Sequence, residues 1–391
     1  MCRAGWAGAA LRSGGFDALE RLRRREGRTA MNPGIERLPR PAPDYRRFLQ
    51  AIRRQRPDRV PLIELAIHPE VVAALLDEPG VARGDARPDE LGSIEAHIRL
   101  QHRLGYDVVK VAAPIPWNVP RLAGQDASPL SRSARNWLDE HRGPIGSFED
   151  FERYRWPRPQ DVNFRPLETA AGMLPDGMKI VAFVGGVLEF AMDLMGMAGL
   201  MLATHRQPAL VAAVIERVGR TIHSVLEAYC QLDAVCAVWL GDDLGHKHGL
   251  LVSPKLLREQ VFPWYRRYVE LAHRAGRPFL LHSCGNTAAV MPELVAQVGI
   301  DAKHSFEDAI QPVEHFYDQW HGQIAVLGGV DVHLLAAGDA AAIRQRTLEI
   351  LEHCAPGGGY VAGSGNSIPN YVPPGNYLAM LAAVAEFNAG G

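Results

Sequence analysis

Eight short β-rich runs, each followed by a longer helical stretch, constrain this chain more than any other feature. They are "RVPLIELA" (59–66), "YDVVKVAA" (106–113), "KIVAFVG" (179–185), "AVCAVWLGD" (234–242), "RPFLLHSC" (277–284), "GIDAKHS" (299–305), "IAVLGGVD" (324–331) and "GGYVAGSG" (358–365). Strands that alternate with helices pair in parallel, since a crossover helix returns the chain to the same end of the sheet. A count of eight predicts a closed (β/α)8 TIM barrel rather than an open sheet. The spacers carry helix signals: Ser253 before Pro254 makes an N-cap and first-turn pair, apolar spacing runs on to Ala275, and Gly276 is placed to end the helix. Leu210, Val214 and Val218, at i, i+4 spacing, predict a second helix within Pro208 to Cys230.

A chain of 391 residues, 47% hydrophobic, can bury one large core. The expected organisation is a single barrel domain over 41–391, with 114–175 as an elaborated loop above its mouth. Residues 1–40 are expected to be a poorly ordered extension or an appended helix, with Met31 as a candidate start. The net charge of −2 gives no reason to expect nucleic acid or an acidic membrane surface as the main partner. Five scattered cysteines do not make a disulfide framework, and no apolar run approaches the ~20 residues of a membrane span. A cytoplasmic location is therefore expected.

In such a barrel, chemistry sits at the carboxyl ends of the strands. That rule selects Glu64 and His68, Trp117 and Asn118, Asp242 and Asp243, His282 and Cys284, His304 and Glu307, Asp331, and Ser364, Asn366 and Ser367. Within "LLHSCGN" (280–286), His282 and Cys284 are two residues apart, so an extended strand aims both at the same side, where they can share one metal ion. Asp242 and Asp243 cannot both face inward from a regular strand; Asp242 is taken as the site residue and Asp243 as a loop cap. His246 and His248 flank Lys247 and read as a solvated loop.

The chain resembles the uroporphyrinogen decarboxylase superfamily, and within it the branch that transfers methyl groups between corrinoid proteins and thiols. The resemblance rests on "GDDLGHKHGLLVSPKLLREQVFPWYRR" (241–267), "LLHSCGN", "DAKHSFEDAI" (301–310), "LGGVDVHLL" (327–335) and "GGGYVAGSGNSIP" (357–369). The decarboxylase carries an arginine-rich loop after the first strand to grip a polycarboxylate. Here the stretch is "LIELAIHPE", with Glu64 and Glu70 and no arginine, which disfavours that substrate. The methyltransferase branch binds zinc through His-x-Cys and a distant Cys near the last strand. The resemblance thus implies zinc on His282 and Cys284, but Ser364 stands where the third ligand is expected. Cys354 belongs to the opposite barrel face, and Glu64, Asp242, Glu307 or Asp331 are the candidates to complete the shell.

The resulting expectation is a corrinoid-dependent, zinc-dependent methyltransferase. Asp242, Glu64 and Glu307 are its candidate catalytic carboxylates. Trp117, Asn118, Asp331, Ser364 and Asn366 are its candidate substrate contacts, and a corrinoid protein is the partner that presents the methyl group to a small thiol. A homodimer is one candidate assembly, which the sequence itself does not decide. The alternatives are a metal-free lyase acting on a carboxylic acid, with Asp242 protonating carbon, and a non-catalytic barrel that binds a corrinoid or small molecule.

Overall fold

A computed structural model describes residues 32–78, 91–125, 134–138 and 141–390. The expected N-terminal extension is therefore described only from Asn32 onward. Seven parallel strands form the central sheet, in spatial order equal to chain order: β1 (Val108–Ala112), β2 (Lys179–Gly185), β3 (Val235–Gly241), β4 (Phe279–His282), β5 (Ala302–His304), β6 (Ala325–Leu327) and β7 (Tyr360–Val361). All seven residues of β3 are buried, as a strand covered on both faces must be.

The expected closed ring of eight strands is corrected at one point: the sheet has seven strands and the barrel is not fully closed. Segment 59–67 meets β7 and its continuation only through isolated parallel bridges, Leu62 to Ala362 and Ile67 to Ile368. Pro61 has no amide hydrogen to give a ladder, and between the bridges the Ser364 amide donates to the Glu64 side chain instead of to a backbone carbonyl. Among the described residues no ladder joins segment 59–67 to β1. The fold is a TIM-barrel-like ring with one loose seam.

Side chains alternate across the strands as period two requires. Val108, Val181, Trp239, Leu280, Ala302, Leu327 and Val361 face inward and form one cluster. The helix Tyr45–Ile52 drives Phe48, Ala51 and Ile52 into it and plugs the amino-terminal end. Val109, Ile180, Val238 and Leu281 face outward, into the layer of helices. There the helix Pro208–Tyr229 buries Leu210, Val214 and Val218. Ser253 caps the next helical run, its hydroxyl accepting from the Leu256 amide at 3.2 Å, and Gly276 (φ 69°) follows that run's last turn.

Because Val108, Val181, Leu280 and Ala302 point inward, so do the residues two positions on: Lys110, Phe183, His282 and His304. These four form the upper layer of the interior, toward the mouth. Above it, the stretch between β1 and β2 carries an antiparallel hairpin, Arg121–Gln125 with Ala134–Leu138, and two helices, Phe148–Arg153 and Arg165–Met173. Trp117 meets Trp156 edge-on with centroids 6.3 Å apart and lies 5.1 Å from Phe190. No single described helix is long and apolar enough to cross a membrane.

Candidate metal centre

The end of β3 and the end of β4 are sewn together. The Asp242 amide donates to the His282 carbonyl at 2.9 Å, and the Leu244 amide to the Ser283 hydroxyl at 3.1 Å. The Cys284 amide donates to Asp243 Oδ1 at 2.8 Å, and the Asn286 amide to the His246 carbonyl at 2.9 Å. Gly285 makes this possible. It has φ 75°, and a Cβ there would stand 2.2 Å from the Gly245 carbonyl carbon. The two loops therefore lie backbone against backbone, which brings Asp243 beside Cys284.

Asp243, His282 and Cys284 offer ligand atoms that all lie within 4.8 Å of one another. Cys284 Sγ is 3.3 Å from His282 Nε2, and Asp243 Oδ1 is 3.9 Å from the same nitrogen. Asn366 Nδ2 donates to the sulfur at 3.3 Å, and Ser305 donates as well. Burial and the neighbouring Asp243 carboxylate push the Cys284 thiol up to about 12. Left to itself, this thiol stays protonated.

The protonation of His282 follows from a chain of contacts. His304 Nε2 lies 3.3 Å from the Ser364 carbonyl, which can only accept, so that nitrogen carries the proton. Burial holds both imidazoles neutral, driving His304 down to about 3 and His282 well below its ordinary value. His304 Nδ1 is then the acceptor in its 2.7 Å contact with His282 Nδ1, which must donate. His282 Nε2 is left as a bare lone pair facing Cys284 and Asp243. Gly328 (φ 77°) permits the arrangement, since a Cβ there would stand 2.1 Å from the Ser364 oxygen and 3.1 Å from the His304 ring.

The other candidates fall in different places. Asp242 is fully buried and turned away from the cluster. It accepts from the Leu188 and Glu189 amides at 2.9 and 2.8 Å and from the Tyr265 hydroxyl at 2.6 Å, capping the helix Val187–Met195; burial raises it to about 6. Glu64 is buried and holds the Ser364 amide at 2.8 Å and the Ser364 hydroxyl. Ser364 thus gives its side chain to Glu64 and only its carbonyl to the relay. Asp331 caps the helix Val332–Ala337 through the His333 amide at 2.6 Å and also accepts from the Asp308 amide at 2.8 Å. Glu307 is exposed beside Lys303, and Asn118 is exposed with its amide on the Tyr154 hydroxyl. Cys354 is buried at the end of the helix Ala340–Cys354, and His246 and His248 are exposed on a small hairpin.

Glu64, Asp242, Glu307 and Asp331 are the carboxylates expected from the sequence to complete the shell, yet the one that stands in the cluster is Asp243, and His304 behind it carries no metal-site role in that expectation. Strand alternation allowed one inward aspartate but could not say which, because that depends on β3 ending at Gly241. His304 carried a usable signal: it ends the strand next to β4 and pairs in register with His282. Lys110 and Lys303, single lysines in apolar strands, were also passed over.

A parallel β/α barrel with clustered metal-type ligands at the carboxyl ends of adjacent strands defines a barrel enzyme with its site at the mouth. The family model for "Uroporphyrinogen decarboxylase (URO-D)" matches residues 44–387, and the chain belongs to that family. A curated uroporphyrinogen decarboxylase from Anaeromyxobacter dehalogenans (strain 2CP-C) is 26% identical over 259 residues, covering 62% of this chain and 70% of the relative. Among solved structures, a methyltransferase from Methanosarcina mazei superposes with a TM-score of 0.65 at 17% identity, over 87% of this chain and 98% of that one. This likeness speaks for the fold.

Proposed function

We propose that this protein is a zinc-dependent methyltransferase that moves a methyl group between a corrinoid protein and a small thiol. The observation that carries the reading is the bare Nε2 of His282 aimed at Cys284 and Asp243, with the three ligand atoms close enough to share one ion. Zinc held there would act as a Lewis acid at which an acceptor thiol loses its proton near neutral pH.

The chain's own residues do the remaining work. With an ion bound, a Cys284 thiolate and the Asp243 carboxylate would balance its divalent charge while a neutral His282 would complete the set, and the Asn366 and Ser305 donors would steady the sulfur. The His304 to Ser364 relay fixes the ring of His282, the usual service of a second group behind a ligating imidazole. The relative from Methanosarcina mazei, itself a methyltransferase of this fold, supports the reading. Decarboxylation of a polycarboxylated tetrapyrrole has less support: Glu64 is committed to Ser364, Glu70 accepts from Asn370 Nδ2 at 2.7 Å, and residues 61–70 contain no arginine. The metal-free lyase has less support too, since three donors occupy the carboxylate of Asp242.

The test is metal content of tag-free protein by mass spectrometry, followed by transfer from methylcobalamin to thiols, monitored by the cobalt absorbance. Zinc at one per chain that is lost in His282→Ala and Cys284→Ala, together with thiol-dependent demethylation, is the expected result. Failure to take up zinc under reducing conditions would overturn it. Zinc without transfer to any thiol would leave a binding barrel.

A further inference from the structure

A second feature of the mouth lies beside the cluster. A cavity of about 230 Å³ is walled by Trp117, Phe183, Phe190, Ile115 and Ala112, with Arg121 and Asp193 among its polar lining. For comparison, a cavity of about 150 Å³ lined by Leu, Ile and Phe accepts benzene. Trp117 Nε1 is buried there without a hydrogen-bond partner among the described residues.

Lys110 adjoins this cavity without lining it, reaching it across two of its walls. It points to the same face of β1 as Ala112, one of the walls, and its ammonium lies 4.3 Å from the centre of the Phe183 ring, another wall. Among the described residues it has no hydrogen bond to an acceptor and no carboxylate partner. Burial alone acts on it, pulling it down to about 8, yet it keeps some exposed surface. Its charge also reaches the metal cluster, because it helps to depress both His282 and His304. An amine placed between an apolar cavity and a metal centre, with only a ring face to offset its charge, is matched by an anion brought in with a ligand.

We propose that the cavity and Lys110 bind a compact carboxylic acid, with its aromatic or branched apolar body against Trp117, Phe183 and Phe190 and its carboxylate on the Lys110 ammonium. The acceptor of the methyl group would then be a thiol-bearing acid; that it carries a thiol rests on the reading above, whereas its acidity and shape rest on Lys110 and the cavity. Arg121 and Asp193, opposite charges in the lining, act on one another there.

The experiment is calorimetric titration of metal-stripped full-length protein with benzoate and with benzyl alcohol, its neutral counterpart. Benzoate is expected to bind at least about tenfold more tightly than benzyl alcohol, and Lys110→Met to remove that preference while Lys110→Arg keeps part of it. Equal affinity for the two probes in the native protein, or no binding of either at millimolar concentration, overturns the proposal. So does a Lys110→Met variant that binds benzoate as the native chain does. Because the titration needs neither zinc nor turnover, its failure is distinct from failure of the methyl-transfer reading. The native-protein comparison stands even if Lys110→Met does not fold.

Discussion

Glu64 and Ser364, 300 positions apart, are joined twice: the serine amide donates to Oε1 at 2.8 Å and the serine hydroxyl meets Oε2. The contact is buried and fastens segment 59–67 to the continuation of β7 between two isolated bridges. It does the work of the missing ladder there, with a side chain in place of an amide.

Burial pushes the Glu64 carboxyl up to about 8, from 4.5 in an exposed chain. The folded protein therefore holds a proton that the unfolded chain has released. Stability is fully present below about 4.5 and falls as pH rises toward 8, with a slope of at most ~1.4 kcal/mol per unit. Glu64→Gln, which cannot ionise, should flatten the dependence of melting temperature on pH across this window. A variant as steep as the native protein would place the titration elsewhere.

The Ser364 side chain points to Glu64, whereas the Asn366 amide already touches the Cys284 sulfur at 3.3 Å. Asn366→Cys should therefore add a thiolate to the metal cluster and tighten zinc, while Ser364→Cys should not, and should lower the melting temperature by disturbing Glu64. Competition with a chromophoric chelator ranks the two; tighter zinc in Ser364→Cys would mean that the serine side chain can turn into the site.

His304 touches no ligand position but the back of His282. His304→Leu removes the acceptor that fixes the His282 tautomer and should weaken zinc binding by about 10–100-fold. The same chelator assay decides it, and an unchanged affinity would show that His282 finds its tautomer unaided.

The adjacent aspartates should separate cleanly. Asp243→Asn should strip the metal with little loss of stability. Asp242→Asn should retain it but cost about 1–3 kcal/mol, as the Leu188 and Glu189 amides and the Tyr265 hydroxyl lose their charged acceptor. Metal content and denaturant unfolding of the two variants, side by side, test the assignment.

Seven of the eight runs read as strands are strands, since a fully covered parallel strand is a short apolar stretch between turn residues, as "KIVAFVG" illustrates. The eighth, 59–66, has the right composition but also Pro61 and Glu64, and the pull of a serine 300 residues away is invisible locally. His282 and Cys284 were legible from spacing and strand end. The choice between Asp242 and Asp243 was not, because it turns on one residue of strand length and on Gly285 admitting the neighbouring backbone. A lysine in "VVKVA" can be seen in the sequence, but that it meets a ring face and no carboxylate among the described residues requires the surroundings.

The seam between segment 59–67 and β1 also bears on how the molecule breathes. In a hoop, any strand that lifts must tear hydrogen bonds on both flanks; in a strap, the end strand has one flank to lose. Segment 59–67 has backbone bridges on one flank only, backed by the Glu64 contact, and on the other flank it is met by side chains alone, Arg59 on Asp107 just before β1 and His97 on the Ile67 carbonyl. Its amides, and the outer edge of β1, are where deuterium from solvent should enter first, well before the amides of β3 and β4 that carry the metal ligands. The ring can thus loosen along this seam while the histidines and the cysteine stay in place.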